Sequence, residues 1–351
     1  MELKLIEIAI EDLGKNGDPI TQIKNLTKQI DSSNINILLG AGFSCSVLGL
    51  LGNHEKEMAI AVESENEDNL YKTQKDFFDK IIHPLLDETK IKEEEDKRMN
   101  FFSLINNIIQ NRKSSILHKI VNIFTTNYDL LIEYALERRK SEYIDGFSGK
   151  IRPIFSTANY GKIINRQTSI SSMTSEIVTF NLYKVHGSLN WRCEKNEIVH
   201  SDHITTIGEL NDIKDNKSQF LEDYKNKLAI INPTKEKLNA TVLNVNYYDQ
   251  LRMFCNELEK NNTILISYGF SFDDEHIRQM TLRALKSNPT LTLIILSYDG
   301  KSTEKFEKHF EECSNVNIIQ IVKREDGKTE IMPFSQDNVN KIFAEICNGI
   351  K

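Results

Sequence analysis

The chain has 351 residues, enough for one large domain or two modest ones, and its 39% hydrophobic and 27% charged content is that of an ordinary folded globular protein. A formal net charge of −7 argues against a broad electrostatic footprint on nucleic acid, and no uninterrupted apolar run approaches the roughly 20 residues that span a bilayer, so neither direct nucleic-acid binding nor a membrane segment is expected. The five cysteines (Cys45, Cys193, Cys255, Cys313 and Cys347) are scattered with no C-x-x-C pair, which excludes a disulfide framework or a four-thiolate zinc site and implies isolated thiols in a reduced cytoplasm.

Residues 1–30 carry acids within their apolar stretch and no small-residue cleavage site. They predict an amphipathic helical segment rather than a secretory signal, broken at Gly17-Asp18-Pro19. The polar Asp31-Ser32-Ser33-Asn34 then precedes INILL (35–39), a short apolar run entering Gly40-Ala41-Gly42, which reads as a buried parallel strand meeting a tight turn. From about 45 to 118 amphipathic stretches such as FFDKIIHPLLDETK predict a helical insert that packs on the sheet and could roof a site.

KIVNIFTT (119–126) is the second strand, followed by Asn127-Tyr128-Asp129 and a helix; 141–176 is loop-rich. IVTFNLYKVHG (177–187) is a strand ending in His186-Gly187, and 195–226 reads as loop plus a short helix. Strands at 227–233, 262–269, 291–299 and 316–322 then alternate with helices, and a helix closes the tail. Such alternation predicts an α/β, Rossmann-like, mostly parallel sheet with helices on both faces. The expected organisation is an N-terminal helical segment (1–34), one α/β domain (35–323, insert about 45–118) and a C-terminal helix (324–351).

In open α/β sheets ligands bind beyond the carboxyl ends of the strands. Five strands here end on polar or glycine residues: Gly40, Gly42 and Ser44; Asn127 and Asp129; His186; Gly269 and Ser271; Ser297 and Asp299. The turn Gly40-Ala41-Gly42-Phe43-Ser44 either lets backbone approach a pyrophosphate at a helix N-terminus or is a tight strand–helix turn without a ligand. His186 is a candidate general base, because histidine titrates near neutral pH, or a structural histidine. Asn127 and Asp129 can reach ribose hydroxyls and an amide, or act as a helix cap and a first-turn acid. The other histidines offer no ligand-like grouping beyond His200-x-x-His203 in a predicted polar loop, and no metal is expected.

Taken in order, GAGFS, TTNYD and VHG resemble the sirtuin pattern of glycine-rich turn, T-x-N-x-D and His-Gly. With FTTNYDLLIEYAL, KVHGSLNW, IINPTKEK and ISYGFSFDDEHI, the chain is similar to the bacterial sirtuin-like domain group over roughly residues 35–300. The resemblance implies NAD as the bound substrate. Gly40, Ala41, Gly42 and Ser44 would line its pyrophosphate and neighbouring ribose, Asn127 would hold the nicotinamide ribose and a water, and Asp129 would contact the carboxamide. His186 would be the base, Gly269 and Ser271 would face the phosphates, and Asp299 would accept from the adenosine ribose.

Sirtuin deacylases carry a four-cysteine zinc module that these thiols cannot build, and no counterpart of their peptide-binding strand is found. Water is therefore the expected acceptor, and NAD hydrolysis to nicotinamide and ADP-ribose the expected activity. Relatives with this signature act as anti-phage effectors that drain NAD, which calls for control by assembly: a homo-oligomer, or a partner such as a HerA-type ATPase or a short Argonaute. The apolar stripes of the N-terminal and tail helices are candidate contact surfaces, or pack within the chain. The alternatives are an NAD-dependent protein deacylase or ADP-ribosyltransferase, and a non-catalytic NAD or ADP-ribose binding module.

Overall fold

The computed structural model describes residues 3–13, 21–49, 57–58, 60–61, 64, 66–112, 116–167, 174–194, 197–230, 245–325 and 328–350. In chain order the first elements are β1 (Lys4–Ala9), α1 (Thr21–Asp31), β2 (Asn34–Leu39), α2 (Ala41–Leu48), α3 (Glu67–Phe77) and α4 (Glu88–Gln110). A π-turn (Phe78–Ile82) and a 3-10 turn (His83–Leu86) join α3 to α4. Next come β3 (Ile120–Thr125), α5 (Leu131–Arg138), β4 (Glu142–Ile144), β5 (Phe147–Ser148), β6 (Ile154–Phe155), β7 (Asn165–Gln167), β8 (Thr174–Glu176) and β9 (Thr179–Lys184). The hairpin β10 (Trp191–Glu194) and β11 (Glu197–His200) precedes α6 (His203–Ile213), α7 (Lys217–Lys227) and α8 (Val245–Leu258). The chain ends with β12 (Thr263–Tyr268), α9 (Glu275–Ser287), β13 (Leu291–Leu296), α10 (Gly300–Phe310), β14 (Val316–Glu325), β15 (Lys328–Met332) and α11 (Gln336–Ile350).

The central sheet has the order β1-β14-β13-β12-β2-β3-β9-β4, with β15 added antiparallel to β14 and every other pairing parallel. Its α/β architecture, parallel strands alternating with helices, is the one the sequence predicts. Side chains alternate between two cores. Ile35, Ile37 and Leu39 of β2 pack with Ile264, Ile266 and Tyr268 of β12 on one face, beneath α1, α4, α5 and α11. Leu38 and Leu265 point the other way, into a core shared with α8, α9 and α10. A third apolar cluster joins Phe77, Phe78, Ile81 and Leu85 to Tyr128, Leu189, Ile207 and Phe220.

One polar layer crosses the sheet. Asn36, Asn122 and Asn181 stand in register on β2, β3 and β9. Asn122 Nδ2 donates to Asn36 Oδ1 at 2.9 Å and to Glu257 Oε2 of α8 at 3.0 Å, and Asn181 Nδ2 donates to Asn122 Oδ1 at 2.9 Å. A one-residue slip of any of these strands would break the ladder, so it fixes register among otherwise interchangeable apolar runs.

Three expectations need correction. Lys4–Ala9 is a strand, not part of a helix: it pairs in parallel with β14 from Lys4↔Asn317 to Ala9↔Val322. The segment 195–226, read as loop plus one short helix, holds β11, the second strand of a hairpin with β10, and two helices, so that His200 and His203 lie at the ends of β11 and α6 rather than in a free loop. The expected C-terminal helical unit begins with the end of β14 and with β15 before α11 starts. Of the strand expected at 227–233, Ile230 bridges Gly187, while residues 231–233 lie outside the described residues.

The apolar stripe of the tail packs within the chain. Val339, Ile342, Phe343, Ile346 and Cys347 are buried, Phe343 meets Phe101 of α4 at a ring separation of 5.3 Å, and Asn340 Nδ2 donates to Lys97 O at 2.9 Å. Among the described residues, no helix is long and apolar enough to cross a membrane.

Candidate functional site

From β2 the chain runs out to β3 and β9 on one side and returns to β12 and β13 on the other, so the strand order reverses between β2 and β12. At such a reversal two turns diverge and leave a crevice. Here the two turns touch first. Gly42 N donates to Gly269 O at 2.8 Å and Gly40 N to Tyr268 O at 3.2 Å. A Cβ on Gly40 would lie 2.6 Å from Gly269 O, and one on Gly42 would lie 2.6 Å from Gly269 Cα. Gly269 itself sits at φ 66°, which few other residues adopt. The glycines are thus required by backbone meeting backbone, whatever ligand lies beyond. Phe43 N donates to Gly40 O at 2.9 Å, so of the first four N–H groups of α2 those of Ala41 and Ser44 remain to meet an anion.

Next to this clasp, three buried polar side chains form one network. Asn127 Nδ2 donates to Gly40 O at 2.9 Å and to Ser44 Oγ at 3.0 Å. Ser44 Oγ donates to Asp129 Oδ2 at 2.7 Å, and Asp129 Oδ1 accepts from Leu131 N, the first residue of α5, at 3.0 Å. The pocket reading of the Asn-x-Asp pair is thus the one the geometry favours: Asn127 and Asp129 line a pocket, whereas the N-cap of α5 is Leu130 and its first-turn acid is Glu133. That pocket is a small recess, partly open to solvent. Ser44, Asn127 and Asp129 supply its polar lining, and Ala41, Leu48, Gly49, Ile81, Leu85, Tyr128 and Leu189 its remaining walls. Ile81 and Leu85 come from the helical insert, which therefore covers the pocket.

Beneath the Asn127–Asp129 turn lies a buried ion pair that sequence reasoning missed. Lys184, the last residue of β9 and 1% exposed, places Nζ 3.1 Å from Glu133 Oε1 and donates to Asp129 O. Burial pushes the Glu133 carboxyl up to about 7, with the Lys184 ammonium pulling the other way. The turn after β9 braces the same segment, since Leu189 N donates to Tyr128 O at 3.0 Å.

His186 does not line the pocket. It lies just past β9 and turns its Nε2 to Asp274 Oδ2 at 3.2 Å, both side chains being 9% exposed. The following Gly187 has φ 82°, and a Cβ there would lie 2.0 Å from Ala229 O, so the His-Gly turn is fixed by its neighbour. Ser271 is exposed on the loop after β12 and accepts from Asp273 N at 3.3 Å. Asp299 lies farther off, beyond β13, where it caps α10 by accepting from Ser302 N at 2.8 Å; the Ser302 hydroxyl, together with that N–H, holds its carboxyl below the usual range. The structure therefore brings Ala41, Ser44, Asn127 and Asp129 into one pocket, sets Gly40, Gly42 and Gly269 beside it, and leaves His186, Ser271 and Asp299 outside its lining. Among the described residues, no three His, Cys, Asp or Glu side chains group as metal ligands. His203 Nε2 meets Tyr134 Oη at 2.8 Å, and His200 Nε2 meets Asn190 Nδ2 at 3.3 Å.

Compared with known families, residues 121–319 match the SIR2-like domain. That span is more than half of the chain and runs from β3 into the first half of β14, with Asn127, Asp129, His186 and Asp274 inside it. The chain belongs to the SIR2-like domain family. Domains of this family bind NAD, and its members are NAD-dependent enzymes. The turn Gly40 to Ser44 precedes the matched span, yet the fold delivers it to the same pocket as Asn127. No curated protein matches the chain.

Proposed function

We propose that this SIR2-like protein hydrolyses NAD, releasing nicotinamide and ADP-ribose. The observation that carries the proposal is the bonded set Ser44–Asn127–Asp129 lining a pocket of otherwise apolar walls at the carboxyl ends of β2 and β3. Such a pocket suits a flat ring bearing a carboxamide. Ile81, Leu85 and Leu189 would pack on the ring, Asp129 would accept from its amide, and Asn127 Oδ1 would accept from a ribose hydroxyl or a water. The rest of the dinucleotide would follow the crevice past the start of α2, with Gly269 and Ser271 toward the phosphates and Asp299 at the adenosine end.

In the reaction the bond between ribose C1 and the pyridinium nitrogen breaks, and its electron pair leaves with nicotinamide. Water forms the new bond to C1 and gives up a proton, which passes to His186 and then to solvent. The leaving group is already cationic, so the site has mainly to hold the ribose and stabilise developing oxocarbenium charge. Water as acceptor is supported by the five cysteines, which lie in α2, β10, α8, the turn after α10, and α11, so that no thiolate cluster organises a peptide cleft. Because unrestrained NAD loss is lethal, we place this activity in anti-phage defence, controlled by homo-oligomerisation or by a partner such as a HerA-type ATPase or a short Argonaute.

Incubation of the purified protein with NAD tests the reading directly. Nicotinamide and ADP-ribose are expected in equal amounts with no peptide present. Nicotinamide release only on addition of an acetylated peptide would put a deacylase in its place.

A further inference from the structure

The loop after β12 does more than clasp Gly40 and Gly42. It contains two left-handed residues, Gly269 and Phe272, the latter at φ 56°. A bulky side chain rarely adopts that conformation and keeps it only where its surroundings enforce it. Phe272 is fully buried, with its ring 5.0 Å from Phe270, 6.0 Å from Phe306 and 5.0 Å from Phe310, and its carbonyl accepts from Arg278 Nη1 at 2.8 Å. The braced loop ends at Asp274.

Asp274 uses its two carboxylate oxygens differently. Oδ1 caps α9, accepting from His276 N at 3.1 Å and Ile277 N at 3.3 Å, while Oδ2 lies 3.2 Å from His186 Nε2. In the sheet, β2 and β3 separate β12 from β9. Three strand spacings amount to about 14 Å. For Asp274 to meet a residue just past β9, the two turns must between them span the ends of β2 and β3, where Gly40 and Asn127 lie. Capping α9 needs no such reach.

We propose that Asp274 is a positioning residue for His186: from 3.2 Å its carboxylate attracts the ring Nε2–H, favours that tautomer and leaves Nδ1 as the nitrogen that takes the proton. The carboxylate also stabilises the imidazolium that forms, as a buried acid does for other catalytic histidines. The assignment rests on reading His186 as the base in NAD cleavage.

The test uses the full chain carrying ¹⁵N in its histidine rings, with the His186 signals assigned by comparison with His186→Gln. Asp274→Ser and Asp274→Asn both keep a good helix cap, so the thermal midpoint should hold, while the carboxylate facing His186 is lost. Asp274→Glu restores a carboxylate. The parent should show a protonated Nε2 and an unprotonated Nδ1. The Ser and Asn variants should lose that single tautomer and slow nicotinamide release at least roughly tenfold in kcat, with KM little changed and with most of the rate recovered in the Glu variant. A ring signature identical in the parent and the Ser variant, or undiminished kcat in both the Ser and Asn variants, would overturn the proposal. A parent whose ring signature depends on Asp274 but which releases no nicotinamide would leave the pair standing and remove the NAD-cleavage reading instead.

Discussion

Ser44 is the hinge of the pocket network, because its hydroxyl accepts from Asn127 and donates to Asp129. Ser44→Ala leaves both partners buried and short of a bond, which should cost about 1–3 kcal/mol in denaturant unfolding and lower NAD turnover as Asn127 loses its tether. Lys184 and Glu133 support the same turn from below. Lys184→Met strands a buried carboxyl and should cost about 3–5 kcal/mol by the same measurement. Glu133 also makes a prediction with a sign. Its carboxyl is raised from 4.5 to about 7, so across that window the unfolded chain gives up a proton the folded chain keeps. Stability from this group is fully present below pH 4.5 and is lost as pH rises through about 7. Glu133→Gln should therefore flatten the dependence of the thermal midpoint on pH between those values; an unchanged slope would show that the group does not titrate there.

At the scale of elements, the cover of the pocket comes from the π-turn and 3-10 turn between α3 and α4, which carry Ile81 and Leu85. Irregular turns of this kind recur at functional sites. Ile81→Ala should raise KM for NAD severalfold with a smaller change in kcat, since it removes a wall that binds the ring in ground and transition states alike. The strands behind the pocket were legible because INILL, KIVNIF, TILISY and LTLIIL are short β-branched runs bounded by turn residues. β1 was not. It is an edge strand with only Ile8 and Ala9 buried, and Glu7 interrupts its apolar residues, so its pattern passes for one face of a helix. The site divides in the same way. Ser44, Asn127 and Asp129 stand at strand ends and can be found from the chain. Asp274 and Lys184 cannot be assigned there: one reads as a helix cap and the other as a polar end to a strand, and only tertiary contact gives each its partner.

For the whole molecule, the consequence of β1 is that the first residues complete the sheet rather than precede it. β1 covers the edge of β14 from Asn317 to Val322. Removing residues 1–13 should bare that edge and cause aggregation or a large fall in thermal midpoint, measurable by light scattering on heating. α11 likewise closes the core over α1 and α4, so its apolar stripe is occupied within the chain. The two cores, the asparagine ladder and the helical insert hold the ends of β2, β3, β9 and β12 in one crevice, and the central claim is that this crevice cleaves NAD through Asn127 and His186. The most direct measurement is the rate of nicotinamide release from NAD by the parent chain, Asn127→Ala and His186→Ala under one condition. Both variants should fall at least about a hundredfold below the parent while keeping its thermal midpoint within a few degrees. Turnover in both variants equal to that of the parent would contradict the claim.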